Sequence, residues 1–306
     1  MAEKILVIVP ARNEAATLGG ILEGLAETAA ESPVRLQTLV IDDGSDDDTA
    51  SIAARYACSI FRHGSNLGYG AALRSGFRVA CDQSYDYAVT IDADGQHRPR
   101  DLRELLTRRA PGTIVSGSRY LPDAFWFDPP PAPLVNGLFT ALINLIWPLG
   151  LTDVGCGMKC IDVALLRRMR LEDSGYLFPL EFWRECFVIG ALVEEAPVPM
   201  IYCDPARTVL SKCETLEIGL DRALHFVAAL LSRSDVAYSP QWGEAIQHAA
   251  PVFVERHPIV RSIERELRSS RWSGLPLNLA HSNLAPLCGG TARLPASLGE
   301  RVGAVC

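Results

Sequence analysis

The sequence predicts an α/β fold in which a mostly parallel central sheet is flanked by helices. Up to about residue 120, short apolar runs alternate with segments of helical period, as in successive strand–helix units. Acidic clusters follow the predicted strands, where ligands bind in open parallel sheets. The chain has 306 residues, 48% of them hydrophobic, which is enough apolar material for a large core.

The predicted elements follow one another in a regular order. Strands are predicted at Lys4–Val9, Leu36–Ile41, Ser59–Arg62, Tyr87–Ile91 and Thr113–Ser116, and helices at Thr17–Ala30, Thr49–Ala57, Tyr69–Cys81 and Pro99–Arg109. After Tyr120 the rhythm breaks. An extended connector is predicted at residues 128–133 (DPPPAP), and helices at Leu134–Pro148, Phe178–Ile189 and Thr215–Leu231. From Ser269 onward the chain is rich in Gly, Pro, Ser and Ala, which predicts a poorly ordered tail.

Charge, cysteine content and hydropathy limit the class of protein. The net charge of −7 gives no basic field of the kind that binds nucleic acid. The nine cysteines form no C-x-x-C pair, and their odd number predicts free thiols in a reducing compartment. The first apolar stretch, Ile5 to Pro10, is too short for a signal peptide, and no stretch has the length of a spanning helix. These features predict a cytoplasmic protein.

Polar clusters follow three of the predicted strands. They are the segments 10–14 (PARNE), 42–46 (DDGSD) and 92–96 (DADGQ). Because the carboxyl ends of parallel strands share one edge of the sheet, we expect the clusters to converge there. Each cluster alone could be a helix cap. Gathering all three is electrostatically costly unless a cation lies among them.

The third cluster suits a divalent metal ion. Asp92 and Asp94 supply carboxylates at a strand end, and Gln96 supplies a neutral carbonyl oxygen. Mg²⁺ and Mn²⁺ take hard oxygen ligands, often one or two carboxylates together with substrate phosphates. The ion would neutralise a diphosphate leaving group.

A glycine-rich segment from Asn66 to Gly76 (NLGYGAALRSG) precedes and begins the third predicted helix. It is a poor dinucleotide-binding fingerprint, because Leu73 stands where the third glycine belongs. Two interpretations stay open. Backbone amides at the helix start could approach a phosphate or ribose, or the small residues could allow close packing.

These motifs together resemble family 2 glycosyltransferases of the GT-A fold, from Ile5 to about Lys212. The matching segments are VPARNEAATL (9–18), IDDGSDDDT (41–49), NLGYGAALRSG (66–76), TIDADGQHRP (90–99), SGSRY (116–120) and TDVGCGMKC (152–160). Within the family, the chain is most similar to polyprenyl-phosphate sugar transferases of the dolichol-phosphate mannose synthase type. The resemblance implies a GT-A domain at 1–212, and the sequence pattern beyond it predicts a helical extension at 213–268 and the tail at 269–306.

The resemblance implies a role for each matching residue. Asp92, Asp94 and Gln96 would bind Mg²⁺ or Mn²⁺, with Asp92 also on the donor side. Arg119 would face a donor or acceptor phosphate, and Asp153 would face the acceptor as general base for an alcohol or as a positioning group for a phosphate. The remaining implied contacts are Pro10, Arg12, Asn13, Glu14 and Asp43 for the nucleotide, and Arg207, Ser211 and Lys212 for the acceptor phosphate.

The predicted reaction is metal-dependent hexosyl transfer, with inversion, from a UDP- or GDP-sugar to an acceptor. Leu210 and the segment 154–159 depart from the family pattern on the acceptor side, so a polyprenyl phosphate and a soluble acceptor both stay open. A non-catalytic sugar-nucleotide binder is a weaker alternative. A nucleotidyltransferase is disfavoured because VPARNE lacks its glycines, and a nicotinamide-dependent oxidoreductase because the third glycine is missing.

The apolar segment from Leu134 to Leu151 bears on the acceptor. Leu134, Leu138, Leu142 and Leu145 recur at helical spacing among other apolar residues. Such a helix must bury its surface in the protein, in a second subunit or at a membrane interface. Peripheral membrane association and a homodimer contact are therefore both predicted alternatives to a core helix.

Overall fold

The computed structural model describes residues 3–121, 136–137, 139–141, 143–144, 147–175, 178–199 and 201. All of them lie in the first of two units of the chain, Met1–Phe226. The predicted domain boundaries, the connector at 128–133, the helix at Thr215–Leu231 and the tail lie outside the described residues.

The described part is a seven-stranded sheet with helices on both faces. The strands are β1 (Lys4–Ala11), β2 (Arg35–Asp42), β3 (Ser59–Arg62), β4 (Tyr87–Thr90), β5 (Thr113–Ser118), β6 (Lys159–Asp162) and β7 (Leu192–Pro197). The helices are α1 (Leu18–Ala30), α2 (Thr49–Ala53), α3 (Tyr69–Asp82), α4 (Leu102–Arg108), α5 (Val163–Leu166) and α6 (Phe178–Val188), and a 3₁₀ turn at Pro99–Asp101 precedes α4.

The sheet is mixed, in the order β3-β2-β1-β4-β6-β5-β7. Strand β6 is antiparallel to both of its neighbours, and every other pairing is parallel. The predicted α/β class and mostly parallel sheet are confirmed. The antiparallel β6, and the elements α5 and β7, were not predicted.

Strand β1 forms the centre of the core because both of its faces are covered. Ile5, Val7 and Val9 belong to one buried cluster with residues of α1 and α4. On the opposite face, α3 approaches so closely that a Cβ on Gly76 would lie 2.4 Å from Ile8 Cγ2. Alternate residues of a strand point to opposite faces, which accounts for this division.

The register of the strands decides which loops meet. Ala11 at the end of β1 pairs with Asp42 at the end of β2, so the loops that follow these strands are adjacent. Because β6 is antiparallel, its first residue, Lys159, pairs with Thr90 at the end of β4 and with Ser116 of β5. The segment that leads into β6 therefore lies at the same edge of the sheet as the acidic loops.

Several element boundaries differ from the prediction. Helix α2 ends at Ala53 rather than Ala57, and the helix predicted from Pro99 begins as a 3₁₀ turn. Strands β1, β2 and β5 are each longer than the apolar runs that predicted them, because they continue into the polar loops at the carboxyl edge.

Candidate active site

The loops after β1 and β2 are joined by hydrogen bonds. The Asn13 backbone N–H donates to Ser45 Oγ at 3.0 Å, and the Asp46 N–H donates to Asn13 Oδ1 at 3.1 Å. The Glu14 N–H donates to Thr49 Oγ1 at 2.8 Å. Asn13 has φ of 55°, a left-handed conformation that asparagine tolerates better than most residues. Hydrogen bonds thus join the first two predicted clusters into one unit.

Asp43 is buried, and its carboxylate is fixed by three protein donors. Oδ1 accepts the Leu67 N–H at 2.9 Å and lies 2.6 Å from His63 Nδ1, while Oδ2 accepts the Gly68 N–H at 2.8 Å. His63 Nε2 lies 2.9 Å from Ser75 Oγ, which fixes the ring in turn. A carboxylate oxygen can accept two hydrogen bonds, so Oδ2 retains capacity for one further donor.

An open pocket of about 380 Å³ adjoins Asp43. It is lined by Gly44, Ser45, Arg62, His63 and Gly64. Its volume lies in the range of small-molecule sites in proteins. A ligand of nucleoside size could therefore lie against this end of the sheet.

The glycine-rich segment packs closely against the loop that follows α5. A Cβ on Gly68, whose φ is 102°, would lie 2.2 Å from Ser174 O, and a Cβ on Gly70 would lie 2.4 Å from Asp173 O. The Ala71 N–H donates to Ser174 O at 3.2 Å. Since the amides of Leu67 and Gly68 already donate to Asp43, close packing is the interpretation of this segment that the structure supports.

Asp92 lies just beyond the end of β4, between Tyr69 and Gly157. Its Oδ1 accepts the Tyr69 hydroxyl at 3.1 Å. On its other side, a Cβ on Gly157 would lie 1.9 Å from Oδ2, so only glycine permits this approach. Burial raises the pKa of the Asp92 carboxyl, against the lowering effect of the Tyr69 hydrogen bond and of the Lys159 charge.

Asp94 and its neighbours form a tight turn beside Asp92. Asp94 Oδ1 accepts the Gln96 N–H at 2.9 Å across Gly95, whose φ is 81°. His97 is buried with its Nε2 3.8 Å from Asp92 Oδ2, and its Nδ1 has no hydrogen-bond partner among the described residues. Burial lowers the pKa of His97 to about 4, so the ring is neutral near pH 7.

The donor set at this turn fits a hard divalent cation. Asp92 and Asp94 offer carboxylates and Gln96 offers an amide oxygen. No group of three or more His, Cys, Asp or Glu side chains in the described ranges could hold a metal ion by itself. A cation bound here would need further oxygen ligands, which is how Mg²⁺ and Mn²⁺ bind together with phosphates.

Arg119 and Asp153 form a buried, bidentate ion pair beside this turn. Arg119 Nε donates to Asp153 Oδ2 at 2.6 Å, and its second terminal nitrogen, Nη2, donates to Oδ1 at 2.9 Å. The exposed fraction is 15% for the Arg119 side chain and 0% for that of Asp153. Such a pair fixes the plane of the guanidinium.

Asp153 accepts three more hydrogen bonds, from the backbone N–H of Arg119, the backbone N–H of Gly155 and Asn136 Nδ2. Burial raises the pKa of Asp153, but the Arg119 charge and these donors outweigh it and hold the pKa below its ordinary value. A fully buried carboxylate with five donors offers no oxygen to an acceptor hydroxyl. Of the two roles predicted for Asp153, the geometry favours positioning over general base.

Lys159 is a buried residue that sequence reasoning treated only as part of a motif. Its Nζ donates to Cys156 O and lies 5.2 Å from the ring centroid of Trp183. Burial lowers the pKa of this amine. It adds a second cationic side chain near Asp92.

Glu195 is a second residue that the sequence did not indicate. Its Oε1 accepts the Asp153 N–H at 3.0 Å, and its Oε2 accepts the Thr152 N–H at 2.8 Å. It lies on β7, whose short and half-exposed pattern gave no prediction of a strand. Glu195 therefore holds the backbone of the Thr152-Asp153 segment in place.

The predicted apolar helix is described only in part. Asn136, Thr140, Ile143 and Trp147 are buried, at a spacing that puts them on one helical face. Asn136 and Thr140 hydrogen-bond to residues 153 and 154, so this face packs against the site. The leucines at 134, 138, 142 and 145, and the predicted acceptor residues Arg207, Ser211 and Lys212, lie outside the described residues. Within those residues, no helix has the length and apolarity needed to cross a membrane.

Fold and site together define a glycosyltransferase of the GT-A type. A family model described as "Glycosyl transferase family 2" matches residues 6–170. The chain belongs to glycosyl transferase family 2, as the sequence motifs predicted.

Named relatives agree with this assignment, and a solved structure agrees with the fold. An undecaprenyl-phosphate mannosyltransferase of Micrococcus luteus is 28% identical over 207 residues, which are 65% of this chain and 84% of the relative. A polyprenol monophosphomannose synthase of Mycolicibacterium smegmatis is also 28% identical, over 64% of this chain and 77% of that protein. The crystal structure of glucosyl-3-phosphoglycerate synthase from Mycobacterium tuberculosis, in complex with Mn²⁺, uridine diphosphate and glucosyl-3-phosphoglycerate, covers 78% of this chain and 82% of its own, with 18% identity and a TM-score of 0.57. The last comparison supports the fold.

Proposed function

We propose that this chain transfers a sugar, with inversion, from a nucleoside-diphosphate sugar to a polyprenyl phosphate, and that it requires Mg²⁺ or Mn²⁺. The observation that carries the proposal is the Arg119–Asp153 pair beside the Asp92–Asp94 turn, in which the cationic group is fixed and its carboxylate partner is already fully hydrogen-bonded. The named polyprenyl-phosphate relatives support the same class of acceptor.

The donor would lie along the joined loops of β1, β2 and β4. Asp43 Oδ2 would accept a hydrogen bond from a base N–H, beside the pocket at Ser45 and His63. Pro10, Arg12, Asn13 and Glu14 would line the base and ribose from the adjoining loop. Asp92, Asp94 and Gln96 would hold the cation, which when bound supplies positive charge to the leaving diphosphate.

The acceptor side favours a group that is already anionic. An alcohol needs a base to take its proton, and Asp153 is buried under five hydrogen bonds. A phosphate monoester carries negative charge near neutral pH and needs no base. Arg119 Nη1 donates no hydrogen bond within the described ranges, so it would be the nitrogen available to a phosphate oxygen.

In the proposed reaction, a phosphate oxygen of the acceptor attacks the anomeric carbon of the donor sugar. The bond from that carbon to the oxygen of the nucleoside diphosphate breaks on the opposite face, and the diphosphate leaves with the electron pair. Arg119 would orient the attacking phosphate, and Asp153 would keep the guanidinium in place. The developing negative charge on the diphosphate makes fixed cationic groups the main source of rate enhancement.

The test is a matrix of donors and acceptors assayed with the purified chain and Mn²⁺. UDP- and GDP-sugars are each offered with a short polyprenyl phosphate, with the same polyprenol lacking phosphate, and with 3-phosphoglycerate. We expect nucleotide release and product only with polyprenyl phosphate. Efficient transfer to the polyprenol, or to the C2 hydroxyl of 3-phosphoglycerate, would contradict the argument from Asp153, because both acceptors are alcohols. Transfer to the phosphate group of 3-phosphoglycerate alone would leave the phosphate argument and remove the lipid.

Membrane association follows from a lipid-linked acceptor and is tested separately. We expect the purified chain to float with liposomes that contain polyprenyl phosphate more than with liposomes of the same lipids without it. Equal recovery from both kinds of liposome would show that binding does not depend on the acceptor headgroup.

A further inference from the structure

Three consecutive residues connect the two carboxylates to which the proposed function assigns the nucleotide base and the metal ion. The backbone amides of Leu67 and Gly68 donate to the two oxygens of Asp43, at 2.9 and 2.8 Å. The next residue, Tyr69, donates its hydroxyl to Asp92 Oδ1 at 3.1 Å. We call residues 67–69 the bridge.

One side of the bridge packs closely against the loop that follows α5. Gly68 and Gly70 leave no room for a Cβ against the carbonyls of Ser174 and Asp173. The loop that carries those carbonyls is tied to α6, because Glu181 Oε2 accepts the backbone N–H of Glu172 at 3.0 Å and that of Asp173 at 2.8 Å. The bridge therefore has little free space on the side of this loop.

The Tyr69 hydroxyl also helps to fix the orientation of the Asp92 carboxylate. It occupies Oδ1, and the close approach of Gly157 restricts the carboxylate on the side of Oδ2. Hydrogen bonds to charged groups are stronger than neutral ones, so the half-buried Tyr69 hydroxyl can hold this carboxylate in one orientation.

We propose that Tyr69 is a positioning residue through which the nucleoside site at Asp43 and the metal site at Asp92 are energetically coupled. The proposal rests on the proposed function, since it takes Asp43 as base-binding and Asp92 as metal-binding. A base N–H bound at Asp43 fixes the bridge, and the fixed bridge presents Asp92 to the cation. Such coupling is reciprocal, so the metal tightens nucleoside binding by the same factor.

The experiment measures Mn²⁺ affinity by titration calorimetry, without ligand and with a saturating nucleoside. The nucleoside is uridine or guanosine, chosen by whether the wild type binds UDP or GDP. It carries no phosphate, so no direct bond to the metal contributes to the coupling. Tyr69→Phe removes the hydroxyl only. Tyr85→Phe is the matched control, because the Tyr85 hydroxyl donates to Gln37 Oε1 at 3.0 Å, on a pair of residues outside the candidate site.

We expect the nucleoside to tighten Mn²⁺ binding about fivefold in the wild type and in Tyr85→Phe, the lower end of measured coupling between sites. In Tyr69→Phe the ratio should fall to about one, with both sites still able to bind. An unchanged ratio in Tyr69→Phe, or a ratio of one in the wild type, would overturn the coupling and leave the proposed function intact. If the wild type binds neither UDP nor GDP in the presence of Mn²⁺, the proposed function fails, and this inference fails with it.

Discussion

Replacing Asp153 by asparagine is the sharpest perturbation that the site offers. Asparagine has nearly the same size, but it has no charge, and its amide nitrogen is a donor. Asp153 accepts five hydrogen bonds, three of them from Arg119. One carbonyl oxygen cannot accept all five, and the amide NH₂ would face donor groups. We expect both stability and transfer activity to fall.

The size of the effect follows from burial. Removing one partner of a buried ion pair costs about 3–5 kcal/mol, because the other charge stays buried without compensation. For a domain of about 200 residues, 1 kcal/mol corresponds to roughly 2–4 °C in Tm, so the variant should melt about 10 °C below wild type. Because Arg119 loses its fixed plane, kcat should fall more than the affinity for the donor changes.

The assay combines thermal unfolding with steady-state kinetics. Glu104→Gln is the matched control, since it removes the same charge from an ion pair with Arg108 in which both side chains are more than 40% exposed. Exposed pairs of this kind contribute at most about 0.5 kcal/mol, so the control should melt within about 2 °C of wild type. Equal Tm losses in the two variants would refute the argument from burial.

The same pair makes a prediction about pH. The Asp153 pKa is lowered in the folded state, so its stabilising contribution is complete above the unfolded value near 3.9 and is lost as the pH falls below it. The stability gap between wild type and Asp153→Asn should be full at pH 7 and should narrow below about pH 4. Chemical denaturation across this range measures the gap, and a gap that widens in acid would contradict the assigned direction.

Three further predictions concern the donor side. Asp94→Asn should lower activity at least about 100-fold with Tm unchanged, EDTA should have the same effect on the wild type, and full turnover of the variant in EDTA would remove the metal from the reaction. Asp43→Asn should raise KM for the donor about 10-fold with a smaller change in kcat, and an unchanged Kd for the nucleotide would show that Asp43 does not contact the base. Gly157→Ala should displace Asp92 and weaken Mn²⁺ binding in a titration, whereas Gly20→Ala, which has no atom within 4 Å of the added Cβ, should bind Mn²⁺ as wild type does.

The sequence by itself determined the class of fold and the edge of the sheet where the candidate site residues lie. Strands such as Lys4–Ala11 are long, apolar and followed by polar loops, so local pattern and the rule for parallel sheets were sufficient. The family assignment also followed from the sequence, because several motifs occur in a fixed order within residues 6–170.

Tertiary structure decided the elements that are too short to show a period. Strand β6 has four residues, two of which are Lys159 and Asp162, and nothing in such a segment indicates a strand or its direction. Its antiparallel pairing with β4 brings the segment before it to Asp92. The contact between Gly157 and Asp92 depends entirely on that pairing.

The roles of individual polar groups also depended on tertiary contacts. From the sequence alone, Asp153 could be a base or a positioning group, and the glycine-rich segment could bind phosphate or pack closely. Burial and the count of donors distinguish these alternatives, because a buried carboxylate that accepts five hydrogen bonds, or an amide N–H that already donates within the protein, is not available to a ligand. Both properties depend on neighbours that are distant in the chain, such as Asn136 for Asp153 and Ser174 for Gly68.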